Sequence, residues 1–130
     1  MNLLLDTHVF LWFINGDNQL PDSIVEKITD RKNNCFTSIA SIWEIAIKLS
    51  IDKIEIQGGF KTIENFLENN DIEILPINIR HLKELLSLPR HHNDPFDRLI
   101  ISQGIAEDMI LVSKDRNFND YNIKILWKNH

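Results

Sequence analysis

Short apolar runs that alternate with amphipathic segments constrain the fold of this chain more than any other feature of its sequence. Five such runs have the length of buried strands rather than of helices, at residues 3–5, 35–37, 72–77, 109–112 and 123–127. Short apolar strands separated by helices indicate a parallel sheet that is covered on both faces. We therefore expect an α/β fold, a three-layer α/β/α sandwich with a mainly parallel central sheet. The 130 residues suit a single domain over 1–130.

Helices are expected between these strands, and several carry their own start or stop residues. Gly16 ends a helix that begins at Thr7, and Asp94 with Pro95 begins another that runs to about Glu107, with Asp as N-cap and Pro in the first turn. Pro76 must lie at the end or the edge of its strand because it cannot donate to a sheet. The other helices are expected from Pro21 onward and over Ile39–Leu49, Phe60–Leu67 and Ile79–Leu88.

Composition limits the function classes without choosing one. The formal charge of −5 argues against a protein that coats nucleic acid by charge alone, but it permits an enzyme that meets phosphate through a metal. The longest apolar run, Val9–Ile14, is far shorter than the roughly 18 residues of a membrane span, and no basic segment precedes Leu3–Leu5 as in a secretory signal. Cys35 alone forms neither an intramolecular disulfide nor a cysteine zinc cluster, so we expect a cytoplasmic protein without membrane contact.

Two acidic residues follow strand ends. Asp6 comes directly after Leu3–Leu5, and Asp115 lies just beyond Met109–Val112. In open parallel sheets, ligands bind beyond the carboxyl ends of the strands. The structural alternative is that Asp6 caps the following helix and that Asp115 stabilises the next turn.

Two further acidic residues lie on helices. Glu44 shares a polar stripe with Ser41 and Lys48 on an otherwise apolar helix. This stripe faces either a polar cleft or solvent. If it faces solvent, Ser41 and Glu44 could form a capping box, and Glu44 could pair with Lys48. Asp97 lies in the first turn of its helix, where the helix dipole favours an acid and where Arg98 is a possible partner. The residues alone do not separate these alternatives.

The four acids are more informative jointly than singly, because two strand ends and two helices of such a sheet can converge on one cleft. Carboxylates brought together repel one another unless a cation neutralises them. An all-oxygen ligand set without cysteine selects hard ions, so Mg²⁺ is expected, with Mn²⁺ as its substitute. Such an ion keeps several waters and binds phosphate substrates.

Four stretches of the sequence carry a family resemblance, namely residues 3–8, residues 37–38 with 43–45, residues 94–101 and residues 111–115. In this order and spacing the chain resembles PIN domains, and more narrowly the VapC-type toxins of bacterial and archaeal toxin–antitoxin pairs. The resemblance implies that Asp6, Glu44, Asp97 and Asp115 are the acidic quartet that holds the metal. It also matches Ser38 to the family's polar residue after the second strand, which could orient a ligand or a water, although capping the helix from Ile39 is an equally natural role.

The activity that this resemblance implies is metal-dependent endoribonuclease cleavage of structured RNA such as tRNA or ribosomal RNA, restrained by a small antitoxin protein. Metal-activated water, aligned with a phosphodiester, makes such hydrolysis physically coherent without a side-chain nucleophile. Basic residues near the acids are candidates for contact with the RNA backbone, and each is also explained as a solvated surface charge: Lys48, Arg90, Arg98, Lys114 and Arg116.

Two other functions remain open at this point. A phosphoryl-transfer enzyme on a similar sheet would want a second Asp two residues after Asp6, where this chain has His8. A catalytically silent binding or regulatory module of the same fold would need no complete quartet. The adjacent pair His91–His92 is interpreted as a polar loop rather than a metal site, because no third ligand has suitable spacing.

The first helix carries more apolar surface than one face of a sheet must hide. Together with Ile42, Trp43 and Ile47, this surface suits either a groove for a partner helix or a dimer contact, and ordinary core packing is the alternative. We expect a homodimer.

Overall fold

The computed structural model describes residues 1–127, and five parallel strands form its central sheet. The strands are β1 (Asn2–Leu5), β2 (Asn34–Ser38), β3 (Ile72–Leu75), β4 (Ile110–Val112) and β5 (Ile125–Leu126). They are arranged in the order β3-β2-β1-β4-β5, and every neighbouring pair is parallel. The expected parallel sheet is confirmed.

Six α-helices connect and cover the strands among the described residues: α1 (Thr7–Asn15), α2 (Asp22–Thr29), α3 (Ile39–Ser50), α4 (Ile63–Asn69), α5 (Ile79–Ser87) and α6 (Pro95–Ala106). The start and stop signals of the sequence act as expected. Gly16 ends α1 in a left-handed conformation with φ of 61°, and the Asp94 side chain caps α6. Within residues 1–127, no helix combines the length and apolarity that crossing a bilayer requires.

Two hydrophobic cores, one on each face of the sheet, produce the three layers. Side chains alternate along β1, so Leu3 and Leu5 point into one core, while Leu4 points into the other. Helices α1 to α4 cover the first core, and α6 packs on the second, with α5 packed against α6. The α/β/α sandwich expected from the sequence is therefore confirmed.

The strand order places a crevice at the centre of the sheet. The chain leaves β1 toward β2 and β3 on one side, and it later returns to add β4 and β5 on the other side. Leu5 of β1 pairs with Thr37 of β2 and with Val112 of β4, so these three strands end at one edge. Ligands of open α/β sheets bind at such a switch in strand order.

Two predicted elements differ from the structure. Phe60–Leu67 was expected as one helix, but Phe60–Thr62 forms a 3₁₀ turn after two glycines with positive φ, and α4 begins at Ile63. The last strand is only Ile125–Leu126, because the backbone turns at Ile123, whose N–H donates to the Tyr121 carbonyl. Residues 128–130, with which the expected domain ends, lie outside the described residues.

Candidate active site

Asp6 lies at the end of the central strand and caps the helix that follows. Its Oδ1 accepts a hydrogen bond of 2.7 Å from the Val9 N–H, as the structural alternative predicted. The residue is also only 4% exposed. Burial raises the pKa of Asp6 to about 6, although hydrogen bonds with Ser113 and the Val9 N–H oppose this rise. A cap at a helix end needs no such burial, so capping alone does not explain this position.

Asp97 is the acid on which the charges of the other candidate residues act. It lies in the first turn of α6, and its backbone N–H donates to Oδ1 of Asp94 at 3.0 Å. Burial is the largest cause that raises the pKa of Asp97 to about 7, and four neighbouring carboxylates add to it: Asp94, Glu44, Asp6 and Asp115. Every acid of the expected quartet is therefore within electrostatic reach of Asp97, and their charges repel.

Glu44 is held on the cleft side of α3 by a threonine that follows Asp6. Its Oε1 accepts a hydrogen bond of 3.0 Å from the Thr7 hydroxyl, and its Oε2 lies 3.0 Å from Lys48 Nζ. The Thr7 hydroxyl also contacts Ser41 Oγ at 3.0 Å, and all three of Thr7, Ser41 and Glu44 are buried. Of the two alternatives for this stripe, the solvated face is therefore wrong for Ser41 and Glu44, whereas the Glu44–Lys48 ion pair is present.

Asp115 forms the opposite wall of the crevice, beyond the end of β4. Its side chain caps the 3₁₀ turn Arg116–Asp120 by accepting from the Asn117 N–H at 2.9 Å, as its structural alternative predicted. Next to it, a hollow of about 350 Å³ is lined by Asp6, His8, Trp12, Lys114 and Asp115. Lys114 Nζ lies 6.0 Å from the centre of the Trp12 ring. The hollow thus joins two acids to a cation and an aromatic surface.

The donor set fits a hard divalent cation, although the side chains do not form a closed cage. Within residues 1–127, no three Asp, Glu, His or Cys side chains are grouped closely enough to surround an ion by themselves. Mg²⁺ does not require such a group, since it is usually bound by one or two carboxylates and completes its shell with water and phosphate. The mutual repulsion at Asp97 is what a cation would relieve, and carboxylate oxygen is the ligand that it prefers.

Comparison with known proteins identifies the family. A family model described as PIN domain matches residues 3–124. The chain belongs to the PIN domain family. No curated protein matches the sequence.

Solved structures with the fold of this PIN domain include three VapBC complexes. VapBC2 from Rickettsia felis, bound to a DNA fragment from its promoter, matches with a TM-score of 0.75 and 19% sequence identity over 97% of this chain and 98% of that chain. DNA-bound VapBC from Salmonella typhimurium matches with a TM-score of 0.71 and 18% identity over 97% of each chain. VapBC-1 from nontypeable Haemophilus influenzae matches with a TM-score of 0.69 and 16% identity over 97% of each chain. At these identities the similarity is one of fold.

Ser38 of this PIN domain has the capping contact that the sequence left open as an alternative to orienting a ligand or a water. Its hydroxyl accepts from the Ala40 N–H at 3.0 Å and donates to Gln103 Oε1 at 2.5 Å, and it is completely buried. Capping α3 is the role that this geometry supports. Because Gln103 belongs to α6, the contact also joins the helix of Glu44 to the helix of Asp97.

The basic residues near the acids of this PIN domain differ in accessibility. Arg98 is buried, and its guanidinium donates to the carbonyls of Pro89 and Leu88, so neither an RNA contact nor a pair with Asp97 is supported. Lys48 is bound to Glu44. The exposed cations of the expected group are Arg90, Lys114 and Arg116.

Sequence reasoning missed two residues at this PIN-domain site. Thr7 carries the hydroxyl that holds Glu44, and its position directly after Asp6 was the available signal. His92 was assigned to a polar loop, but its ring is largely buried, and its Nε2 lies 3.8 Å from Asp97 Oδ2. The sequence places His92 five residues before Asp97, and only the folded loop shows that the two side chains meet.

Proposed function

We propose that this PIN domain is a metal-dependent endoribonuclease, the toxin component of a type II toxin–antitoxin system, which hydrolyses phosphodiester bonds of structured RNA of the tRNA or ribosomal RNA class. The proposal is carried by the hollow that Asp6 and Asp115 line at the end of the central strands, together with the charges of Asp6, Glu44 and Asp115, which help to raise the pKa of Asp97. A cluster of repelling carboxylates at a sheet crevice is suited to holding cations beside a phosphate.

In this proposal Asp6, Glu44, Asp97 and Asp115 hold Mg²⁺ or Mn²⁺. The ion supplies a more acidic water and positive charge beside the phosphodiester. Thr7 orients Glu44 through its hydroxyl, and Asp6 is fixed by the Val9 N–H. Every one of these contacts sets a carboxylate in place before substrate binds.

The RNA would enter beside Asp115. The hollow next to that residue presents Lys114 above the Trp12 ring, so a cation for backbone phosphate and an aromatic surface for an unpaired base lie within one depression. Arg116 follows Asp115 directly and is exposed. These groups offset locally the repulsion that an acidic protein exerts on RNA.

The proposed partners are a small antitoxin protein and a second copy of the chain. Support for the antitoxin comes from structural similarity to VapBC complexes. Support for the homodimer comes from exposed apolar side chains spaced four residues apart along α3 and at the residue that follows it: Ile39, Trp43, Ile47 and Ile51. A reducing cytoplasm is consistent with the free, buried Cys35.

Cleavage of purified tRNA and ribosomal RNA in Mg²⁺ or Mn²⁺ tests the proposal. We expect Asp6→Asn and Asp97→Asn each to lower the rate by more than about 100-fold, since even the partners of metal ligands contribute 10- to 100-fold. Glu64→Gln, an exposed acid in the first turn of α4, is the matched control and should keep the wild-type rate. Wild-type cleavage by both Asn variants would refute the assignment, and an inactive wild type would favour the silent binding module.

A further inference from the structure

His92 lies in the loop between α5 and α6, with its ring directed at the acidic cluster. The side chain is 17% exposed, and Nε2 lies 3.8 Å from Asp97 Oδ2. This nitrogen is fully buried and has no hydrogen-bond partner among the described residues. Buried polar atoms are almost always paired, so an unpaired one beside a carboxylate calls for an explanation.

Tyr121 favours one of the two neutral tautomers of His92. Its Oη lies 3.2 Å from the His92 backbone nitrogen and 3.0 Å from His92 Nδ1. The backbone N–H can only donate, so Oη accepts from it and keeps its own hydrogen available for Nδ1. A neutral imidazole whose Nδ1 accepts carries its hydrogen on Nε2. In the opposite tautomer, Nδ1 carries the hydrogen and cannot accept one from the Tyr121 hydroxyl. The lone pair of Nε2 would then face the Asp97 carboxylate, which is unfavourable.

Aromatic packing fixes the direction of this N–H. The His92 ring meets the Phe118 ring edge to face, with centroids 6.1 Å apart, and the Tyr121 ring at 5.4 Å. Phe118 and Tyr121 are both buried in the second core. The ring therefore presents its N–H to Asp97 from a rigid support, as groups that orient metal ligands do.

We propose that His92 is a positioning residue for Asp97, whose Nε2–H hydrogen-bonds one carboxylate oxygen of Asp97 when that carboxylate binds a divalent cation. This proposal rests on the proposed function, because it requires Asp97 to bind the cation. A shortening of roughly 1 Å brings the present 3.8 Å separation to hydrogen-bond length. Carboxylates that bind metals are themselves usually hydrogen-bonded, and Asp97 Oδ2 has no other donor among the described residues.

Isothermal titration of the full-length protein with Mn²⁺, without RNA, tests the proposal. We expect His92→Phe, which keeps a ring of similar size, to weaken Mn²⁺ binding about 10- to 100-fold. The matched control is His91→Phe at the adjacent exposed histidine, which should bind Mn²⁺ as the wild type does. A purely structural role of His92 would lower the melting temperature in EDTA without changing the Mn²⁺ affinity of the folded variant.

Nuclear magnetic resonance of the imidazole nitrogens keeps the proposal testable if His92→Phe does not fold. The wild type should show the Nε2–H tautomer at His92, and Tyr121→Phe should weaken both this preference and Mn²⁺ binding. An Nδ1–H tautomer in the wild type would overturn the proposal, as would equal Mn²⁺ affinity in the wild type and His92→Phe. A wild type that binds no Mn²⁺ would instead refute the proposed metal site itself, and the positioning role with it.

Discussion

Removal of the Asp97 charge should stabilise the metal-free protein at alkaline pH. The pKa of Asp97 rises from its ordinary 3.8 to about 7 because of burial and neighbouring carboxylates. The folded state therefore holds a proton that the unfolded state releases between pH 4 and 7, so the free energy of unfolding falls as pH rises through this window. Asp97→Asn has no such proton, and its advantage over the wild type should grow from pH 4 to 7 and then stay constant.

The size of this effect follows from the pKa and from exposure. A change from 3.8 to about 7 corresponds to about 4 kcal/mol as an upper limit. Because 24% of the Asp97 side chain is exposed, solvent screens part of the repulsion. The variant also loses the favourable interaction of the Asp97 charge with the α6 dipole, which reduces the expected gain in stability by roughly 0.3 to 1 kcal/mol. We expect Asp97→Asn to raise the free energy of unfolding by about 1–2 kcal/mol at pH 8.

Urea unfolding in EDTA, followed by tryptophan fluorescence, measures this difference at pH 8 and at pH 5. The gain at pH 5 should be less than half of that at pH 8. Glu64→Gln removes an exposed acid from the first turn of α4. It should lower the free energy of unfolding slightly, because only the favourable interaction with the helix dipole is lost. The two variants should therefore change the free energy of unfolding in opposite directions. An Asp97→Asn variant that is no more stable than the wild type at pH 8 would refute the inferred repulsion.

Two further predictions concern one contact at the candidate site and one contact between α5 and the C-terminal end of α6. Thr7→Val should lower the free energy of unfolding by about 1–3 kcal/mol in urea melts, since it leaves buried Glu44 and Ser41 without the Thr7 hydroxyl; an unchanged midpoint would contradict that role. Hydrogen bonds from His81 and Arg80 lower the pKa of Glu107 in the folded protein. Above the pKa that Glu107 has in the unfolded chain, the wild type should therefore be more stable than Glu107→Gln. This advantage should disappear as the pH falls through the lower pKa of Glu107 in the folded state. Thermal melts from pH 3 to 7 measure the difference, and a gap that widens toward acid would contradict the assignment.

The sheet and most helix ends were predictable because they depend on local signals. The Leu3–Leu5 run, the Gly16 stop and the Asp94 cap each act through neighbouring residues, and the structure confirms all three. The short last strand was not predictable, because the turn at Ile123 breaks an otherwise apolar run.

At the candidate site, the sequence indicated residue types but not directions. Asp6 and Asp97 were identifiable from a strand end and a helix start, where acids recur for physical reasons. Arg98 looked like a surface cation, yet the loop at Leu88–Pro89 folds over it and supplies two carbonyls. The approach of His92 to Asp97 likewise depends on Tyr121, which lies 29 residues further along the chain.

The side-by-side pairing of β1 with β4 has a consequence for synthesis of the protein. Leu5 pairs with Val112, which is synthesised more than one hundred residues later, so the central crevice is complete only after β4 has been made. A nascent chain still lacking β4 cannot bring Asp115 to Asp6. If the protein cleaves RNA as proposed, a nascent chain stays inactive until Asp115 has been made and has left the ribosome.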